Sequence, residues 1–331
     1  MITSPSVRKR LLIGMSMLLL VAFIVLNVAL WPYARYFVGR DSHCNPEAHA
    51  LLANARHIGI TAQSVPCADS RCLLMLPAPG TLPEARGQRV REQLPAYGIT
   101  PAPYGELCGI VVLLHGRGSC KENQVYTALR LTAAGLAVIA PDLPGHGDNP
   151  NNPSGYGILP GESDIAIAAL DAARQAIGEH LPAALWGHSM GSSYANYTLA
   201  AHPERFSALI IQSGFDSMDN VLRDHLPPTL NRVAGTPLLA WFHLLVRLRG
   251  GADIAAIRPG DAATTHRLPV LQIHGAQDRL ISLVRGQALA ERYLGEKQFI
   301  IVPDGDHHNV MSRATLVYAP AAAFILHHLQ K

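Results

Sequence analysis

The chain has 331 residues, 49% of them hydrophobic and 15% charged, which excludes a disordered polypeptide and leaves room for one large α/β domain with a substantial core. Its formal charge of +3 is local: Arg8, Lys9 and Arg10 are the only charged side chains before Arg35, and without them 24 basic residues face 24 acidic ones. A neutral body gives no electrostatic reason to expect nucleic acid, and with no Walker loop and no dinucleotide glycine fingerprint, neither a nucleic-acid partner nor a cofactor is expected.

At the amino terminus, residues 1–10 read as a basic tail that stays cytoplasmic, and residues 11–31 as a transmembrane helix. Leu11 to Leu30 is twenty residues of almost unbroken apolar sequence, interrupted by Gly14, Ser16 and Asn27, enough to cross a bilayer once. Trp31, Tyr33 and Tyr36 then fall where an interfacial aromatic belt belongs, while Arg35 and Arg40 weaken the charge asymmetry without reversing it. A cleaved signal peptide is the competing reading. An apolar core longer than the usual signal range, with no A-x-A-like site, favours an uncleaved anchor. The expected location is single-pass in the membrane, with the body extracytoplasmic and, for an inner membrane, facing the periplasm.

Residues 32–108 form an extracytoplasmic segment leading into the domain. It is rich in proline and turn residues, with one strand expected at Cys72 to Leu76 and one amphipathic helix at Pro83 to Leu94. All five cysteines, Cys44, Cys67, Cys72, Cys108 and Cys120, lie after the anchor, as an exported, stapled region would have them. At least one stays unpaired within the chain. Cys67 and Cys72 could close a small loop, but spacing does not fix connectivity. No second close cysteine or histidine pair accompanies them, so no metal site is expected.

From Gly109 the pattern sharpens into alternating strands and helices. Ile110 to Leu114 reads as a buried strand, Asn123 to Ala134 as a helix and Leu136 to Ala140 as a strand. Ser163 to Ile177, Ala183 to Trp186, Ser192 to His202 and Ala208 to Ile211 continue the alternation. This predicts a mostly parallel sheet covered by helices on both faces. Residues 216–266 interrupt it as a short lid insertion, placed above the carboxyl ends of the strands. Within the lid, Pro237 to Arg247 carries apolar bulk on nearly every side. It could line an apolar pocket, touch the bilayer or pack on the sheet. The sheet resumes at Pro269 to Ile273 and Gln298 to Val302, and a last helix spans Ala314 to Leu329.

The chemistry centres on Gly187-His188-Ser189-Met190-Gly191, a G-x-S-x-G turn between a short apolar strand and a helix. So tight a turn needs glycine on both sides of the serine and strains the serine backbone. Four motifs together, His115-Gly116-Arg117-Gly118, the serine turn, His274-Gly275-x-x-Asp278 and Gly305-Asp306-His307-His308, resemble the α/β-hydrolase superfamily in its own order, from about Gly109 to the carboxyl terminus. Pro141 to Gly147 adds a loop resembling that of the monoacylglycerol-lipase and serine-aminopeptidase-like branch.

The resemblance implies an α/β-hydrolase fold and a serine hydrolase. Ser189 would be the nucleophile, Asp278 the acid, and His307 or His308 the base. Pro303-Asp304-Gly305-Asp306-His307 matches the P-x-G-x-H ending of the family, Gly305-x-x-His308-Asn309 its G-x-x-H-N ending, and His307 is the favoured choice. The oxyanion donors would be the backbone N–H groups of Met190 and Arg117. His188 and His146 read as structural. The implied substrate is a small-molecule ester or a lipid-like one, met at the membrane. Two alternatives stay open: a serine-aminopeptidase-like enzyme using lid acids among Asp216, Asp219, Asp224 and Asp253, and a non-catalytic hydrolase-like binding module.

Overall fold

The computed structural model describes residues 5–38, 42–68, 70–149, 161–178, 180–312 and 314–330. The first four residues of the basic tail, and Arg40, lie outside them. Helix α1 (Pro5–Tyr36) opens the chain, and its stretch Ile13–Ala34 has a mean hydropathy of 2.6, long and apolar enough to cross a membrane. The helix continues through Pro32, so Trp31 and Tyr33 belong to its last turns rather than following it. Its end is sunk into the domain: Ala34 and Phe37 are buried in the same apolar cluster as the sheet.

Helix α2 (Pro46–Ala53) starts at Asn45, whose side chain caps the Glu47 N–H. An antiparallel hairpin follows, β1 (Ile60–Cys67) and β2 (Ser70–Pro77), and then α3 (Ala85–Gln93). The sequence reading found only the core of β2. β1 carries Pro66, a residue that central strands exclude. As the outermost strand of the sheet, β1 has a free edge and tolerates it. A disulfide joins Cys67 to Cys72 across the end of the hairpin, a second joins Cys44 to Cys120, and Cys108 is a free thiol.

The rest of the chain alternates strand and helix: β3 (Gly109–Leu114), α4 (Val125–Ala133), β4 (Leu136–Pro141), α5 (Ile165–Ile177), β5 (Ala183–His188), α6 (Met190–Ala201) and β6 (Ala208–Gln212). The insertion of residues 216–266 holds α7 (Met218–Asp224), α8 (Pro228–Leu248) and the short α9 (Pro259–Ala262). Then come β7 (Val270–Gly275), α10 (Leu283–Arg292), β8 (Lys297–Val302) and α11 (Ala314–Leu329). The eight strands form one sheet in the order β1-β2-β4-β3-β5-β6-β7-β8. β2 runs antiparallel to β4, and every pairing from β4 to β8 is parallel.

The parallel strands are apolar at consecutive positions because both faces are covered. Ile110, Val112 and Leu114 point into one cluster, with Ala166, Ala169, Leu170 and Tyr194 of α5 and α6. Val111 and Leu113 point into the other, with Leu129 of α4 and Val317 and Phe324 of α11. Each fully buried aliphatic side chain contributes about 1.5–3 kcal/mol relative to an exposed one, and together they hold the carboxyl ends of the strands in fixed register.

The apolar run at Pro237 to Arg247 is part of α8, a single 21-residue helix. It packs on the domain core through Phe242, Leu245 and Val246, and Leu239 is also buried. It also meets α1: the Trp241 ring lies 5.2 Å from Phe23, Phe242 lies 5.9 Å edge-on to Phe37, and the Arg249 guanidinium sits 3.6 Å from the centre of Trp31.

Candidate active site

Ser189 sits between β5 and α6 with φ 51° and ψ −114°, a conformation that L-residues hold only under constraint. The constraint is the packing of the turn. A Cβ on Gly187 would lie 2.4 Å from the Gly191 carbonyl oxygen, and one on Gly191 would lie 2.2 Å from that of Leu114. The Ser189 N–H donates to the Gln212 carbonyl at 2.9 Å, tying the turn to the next strand. Met190 opens α6, so its N–H has no carbonyl partner within the helix.

Two loops from β7 and β8 converge on this serine. They run side by side, with the Ala276 N–H bonded to the Val302 carbonyl and the Gln277 N–H to that of Gly305, each at 2.9 Å. His307 Nε2 is 3.0 Å from Ser189 Oγ, and His307 Nδ1 is 2.8 Å from Asp278 Oδ2. All three side chains are buried. With Nδ1–H donating to the carboxylate, Nε2 presents its lone pair to the serine hydroxyl.

Asp278 Oδ1 accepts the Leu280 and Ile281 N–H groups at 3.0 and 2.8 Å. Burial pushes the Asp278 carboxyl up. The hydrogen bond and charge of His307, the Ile281 N–H and nearby His274 outweigh that and hold it below the usual carboxylate range. His308, the alternative base, is exposed and turned away: its N–H donates to Asp306 Oδ1, part of a turn that Asn309 closes by donating its own N–H to the same oxygen. His188 is half-buried, with its ring 5.4 Å from that of His307. Burial first, then the neighbouring His307, lowers its pKa to about 3, so it stays neutral beside the triad.

Above the serine runs the loop after β3. A Cβ on Gly116 would come within 3.4 Å of Ser189 Cβ, which measures how closely this loop approaches the serine. The peptide joining Gly116 to Arg117 is held at its oxygen end, since the Gly116 carbonyl accepts from His115 Nδ1 at 2.8 Å and from the Ser119 N–H at 3.2 Å. In a trans peptide the N–H points opposite to the C=O, so these bonds set the direction of the Arg117 N–H. His115 Nε2 in turn accepts the Leu143 N–H at 3.0 Å. Burial, then neighbouring His146, pushes its pKa down to about 4, which keeps Nε2 an acceptor.

Sequence reasoning missed the scaffold beneath these loops. Buried Asp142 accepts the Lys121 N–H at 2.8 Å and the Lys121 ammonium at 2.5 Å. Asp148 takes the same ammonium at 2.7 Å, and Asn149 Nδ2 donates to the Asp142 carbonyl at 3.0 Å. The only signal was Asp142 inside the Pro141 to Gly147 motif, because the partnership with Lys121 is made in space. His146 shares this scaffold, with Nδ1 3.1 Å from the Pro144 carbonyl and its ring 5.3 Å from His115.

The four lid acids are already partnered. Asp216 lies 3.6 Å from Arg285 Nη1, Asp224 3.1 Å from Arg285 Nε, Asp219 3.0 Å from His243 Nε2 and Asp253 3.8 Å from Arg247 Nη1.

Comparison with known proteins agrees with this architecture. A family model described as the α/β hydrolase fold matches residues 109–242. An uncharacterized protein of Mycobacterium tuberculosis is 26% identical over 210 residues, which are 60% of this chain and 63% of that protein, so the match leaves over a third of the relative uncovered. A monoacylglycerol lipase of Mycolicibacterium smegmatis is 26% identical over 252 residues, covering 67% of this chain and 89% of the lipase. Among solved structures, a membrane phospholipase A superposes with a TM-score of 0.53 at 19% identity, covering 98% of this chain and 99% of that one. A candidate lipase of Acinetobacter baumannii gives 0.56 at 16%, covering 87% and 98%. The chain has the α/β-hydrolase fold, and the family-model match and the lipase relative support a place in that superfamily.

Proposed function

We propose that this chain is a membrane-anchored serine hydrolase of the carboxylesterase and lipase type, with Ser189 as nucleophile, His307 as base and Asp278 as acid. The observation that carries the reading is the continuous chain of hydrogen bonds Ser189–His307–Asp278, aligned in a buried site. In this reading Ser189 Oγ attacks the ester carbonyl carbon while His307 Nε2 takes its proton. The oxyanion that forms is met by the N–H groups of Met190 and Arg117. His307 then gives the proton to the departing alkoxide, leaving alcohol and an acyl-enzyme. A water, deprotonated by His307, attacks the acyl carbon. Collapse of the second tetrahedral species expels Ser189 Oγ, which recovers the proton, and the carboxylic acid leaves.

The ester reading is favoured over an aminopeptidase because an amine-binding subsite needs free carboxylates, whereas each lid acid is paired with Arg285, His243 or Arg247. Aligned triad side chains likewise weigh against a silent binding module. The lipase and phospholipase names among the relatives support an acyl ester as substrate, and α1 supports attachment to a membrane. Two disulfides favour an extracytoplasmic body.

The test is turnover of p-nitrophenyl esters from acetate to palmitate by the full chain in detergent micelles, with Ser189→Ala, His307→Ala and His308→Ala. Wild type is expected to turn over, the first two variants to lose activity by at least about 10³-fold, and His308→Ala to stay within about twofold. Folded wild type with neither turnover nor labelling by a fluorophosphonate would sink the reading.

A further inference from the structure

The segment that follows the anchor helix lies on the loop that carries Arg117. The His43 N–H donates to the Gly118 carbonyl at 2.7 Å, and Cys44 is disulfide-bonded to Cys120. Asn123 serves both sides. Its Nδ2 donates to the His43 carbonyl at 2.8 Å and to Ser119 Oγ at 3.0 Å, and its Oδ1 accepts the Asn45 N–H at 2.8 Å. Ser42 Oγ accepts the Gly147 N–H at 3.1 Å, so the same four residues also touch the loop after β4. Between the end of α1 at Tyr36 and Ser42 there are only five residues.

These contacts fall on residues 118–120, directly after the peptide whose N–H is the second oxyanion donor. The carbonyl end of that peptide is held by the Ser119 N–H and by His115, so any movement of Ser119 swings the donor. Gly118, in the left-handed region at φ 75°, gives the loop little side-chain packing of its own to resist such movement. The strap supplies the resistance from outside, with a covalent bond at Cys120, a hydrogen bond at Gly118 and, through Asn123, a link to Ser119.

We propose that Ser42–Asn45, cross-linked through Cys44–Cys120, is a positioning strap that holds the Arg117 N–H where the oxyanion forms, and so makes turnover depend on that disulfide. The strap touches neither substrate nor the reacting atoms and acts through residues 118–120. The inference rests on the hydrolase reading above and adds to it a structural control of the site by the segment next to the membrane.

The test compares wild type, Cys44→Ser/Cys120→Ser, Asn123→Ala and Cys67→Ser/Cys72→Ser, all as full chains in detergent micelles. Each is assayed for kcat and KM on p-nitrophenyl butyrate and on its thionoester, with a melting temperature for each. Sulfur accepts hydrogen bonds poorly, so a misplaced oxyanion donor slows the oxygen ester more than the thionoester. Loss of the strap is expected to lower kcat on the oxygen ester about tenfold, less than the hundredfold or more for deleting a donor outright, with KM within twofold and a reduced ratio of oxygen-ester to thionoester turnover. The hairpin variant, which lacks the other disulfide, should shift only the melting temperature. Should Cys44→Ser/Cys120→Ser not fold, Asn123→Ala decides, since it removes the two hydrogen bonds from Asn123 to the strap and the one to Ser119, and leaves the disulfide. A ratio unchanged in a folded strap variant of an active enzyme overturns the strap. A wild type with no turnover and no fluorophosphonate labelling overturns the hydrolase reading, and the strap with it.

Discussion

The sheet has two parts built on different rules. From β4 to β8 it is parallel, its central strands covered on both faces and apolar at nearly every position, and its loops carry the proposed triad. The β1–β2 hairpin is antiparallel and lies at the edge, with a mixed sequence and a disulfide at its end. The first part is held by burial on two faces and cannot shift without moving Ser189, Asp278 and His307 relative to one another. The second is held by local pairing and a covalent link, and none of the proposed triad lies on it.

Four measurements sharpen or break that contrast. The largest effect belongs to Asp278→Asn, which keeps the shape but removes the charge that fixes the His307 tautomer; kcat should fall by roughly 10³–10⁴ while the melting temperature moves little. If kcat survives, the loop after β7 does not do what its geometry suggests. Next is Gly191→Ala, which drives a Cβ against the Leu114 carbonyl, backbone that cannot step aside. A loss of about 3 kcal/mol or more is expected in a urea titration, and a loss under about 1 kcal/mol would mean that the turn is looser than its contacts imply.

A third measurement is the acid limb of stability. Buried His115, His146, His266 and His274 and half-buried His188 all have pKa values lowered chiefly by desolvation, to about 4 for His115 and His266 and about 3 for His188. A folded-state pKa below the unfolded value means that the stabilisation is complete above about 6.5 and drains away as pH falls toward 4. All five lie beyond Gly109, so proton uptake on unfolding should rise over this window by more than one proton. A urea midpoint that stays flat from pH 6.5 to 4.5 would contradict their neutral burial. The smallest effect is Cys67→Ser/Cys72→Ser. With a sequence separation of 5, the closed loop is short and its loss should cost about 2 kcal/mol, read by thermal melting with activity retained.

Legibility divides along the same line. Runs such as Ile110 to Leu114 announce a strand buried on both faces, and the serine turn can be read because its glycines are required by contacts within a few residues. The hairpin was only half legible, since Pro66 argues against a strand until the strand is known to lie at an edge. The two histidines of Gly305-Asp306-His307-His308 each match an ending of one family, with His307 the favoured choice, and the direction of the loop, set by Asp306 and Asn309, separates a ring 3.0 Å from Ser189 Oγ from an exposed one. The Lys121–Asp142 pair and the contact of Ser42–Asn45 with Gly118 join residues 21 or more apart, and no local pattern encodes them.

The burial of Ala34 and Phe37 in the domain core bears on how the protein can be handled. Trimming the chain a few residues past the apolar helix, near Asp41, the usual route to a water-soluble fragment, would strip Phe37 from Phe242 and Trp31 from Arg249 and bare an oily flank of α8 to solvent. Such a fragment should self-associate on a sizing column. A cut placed before Trp31, or polar replacements at the bared positions, is the better starting point for crystals or assays free of detergent.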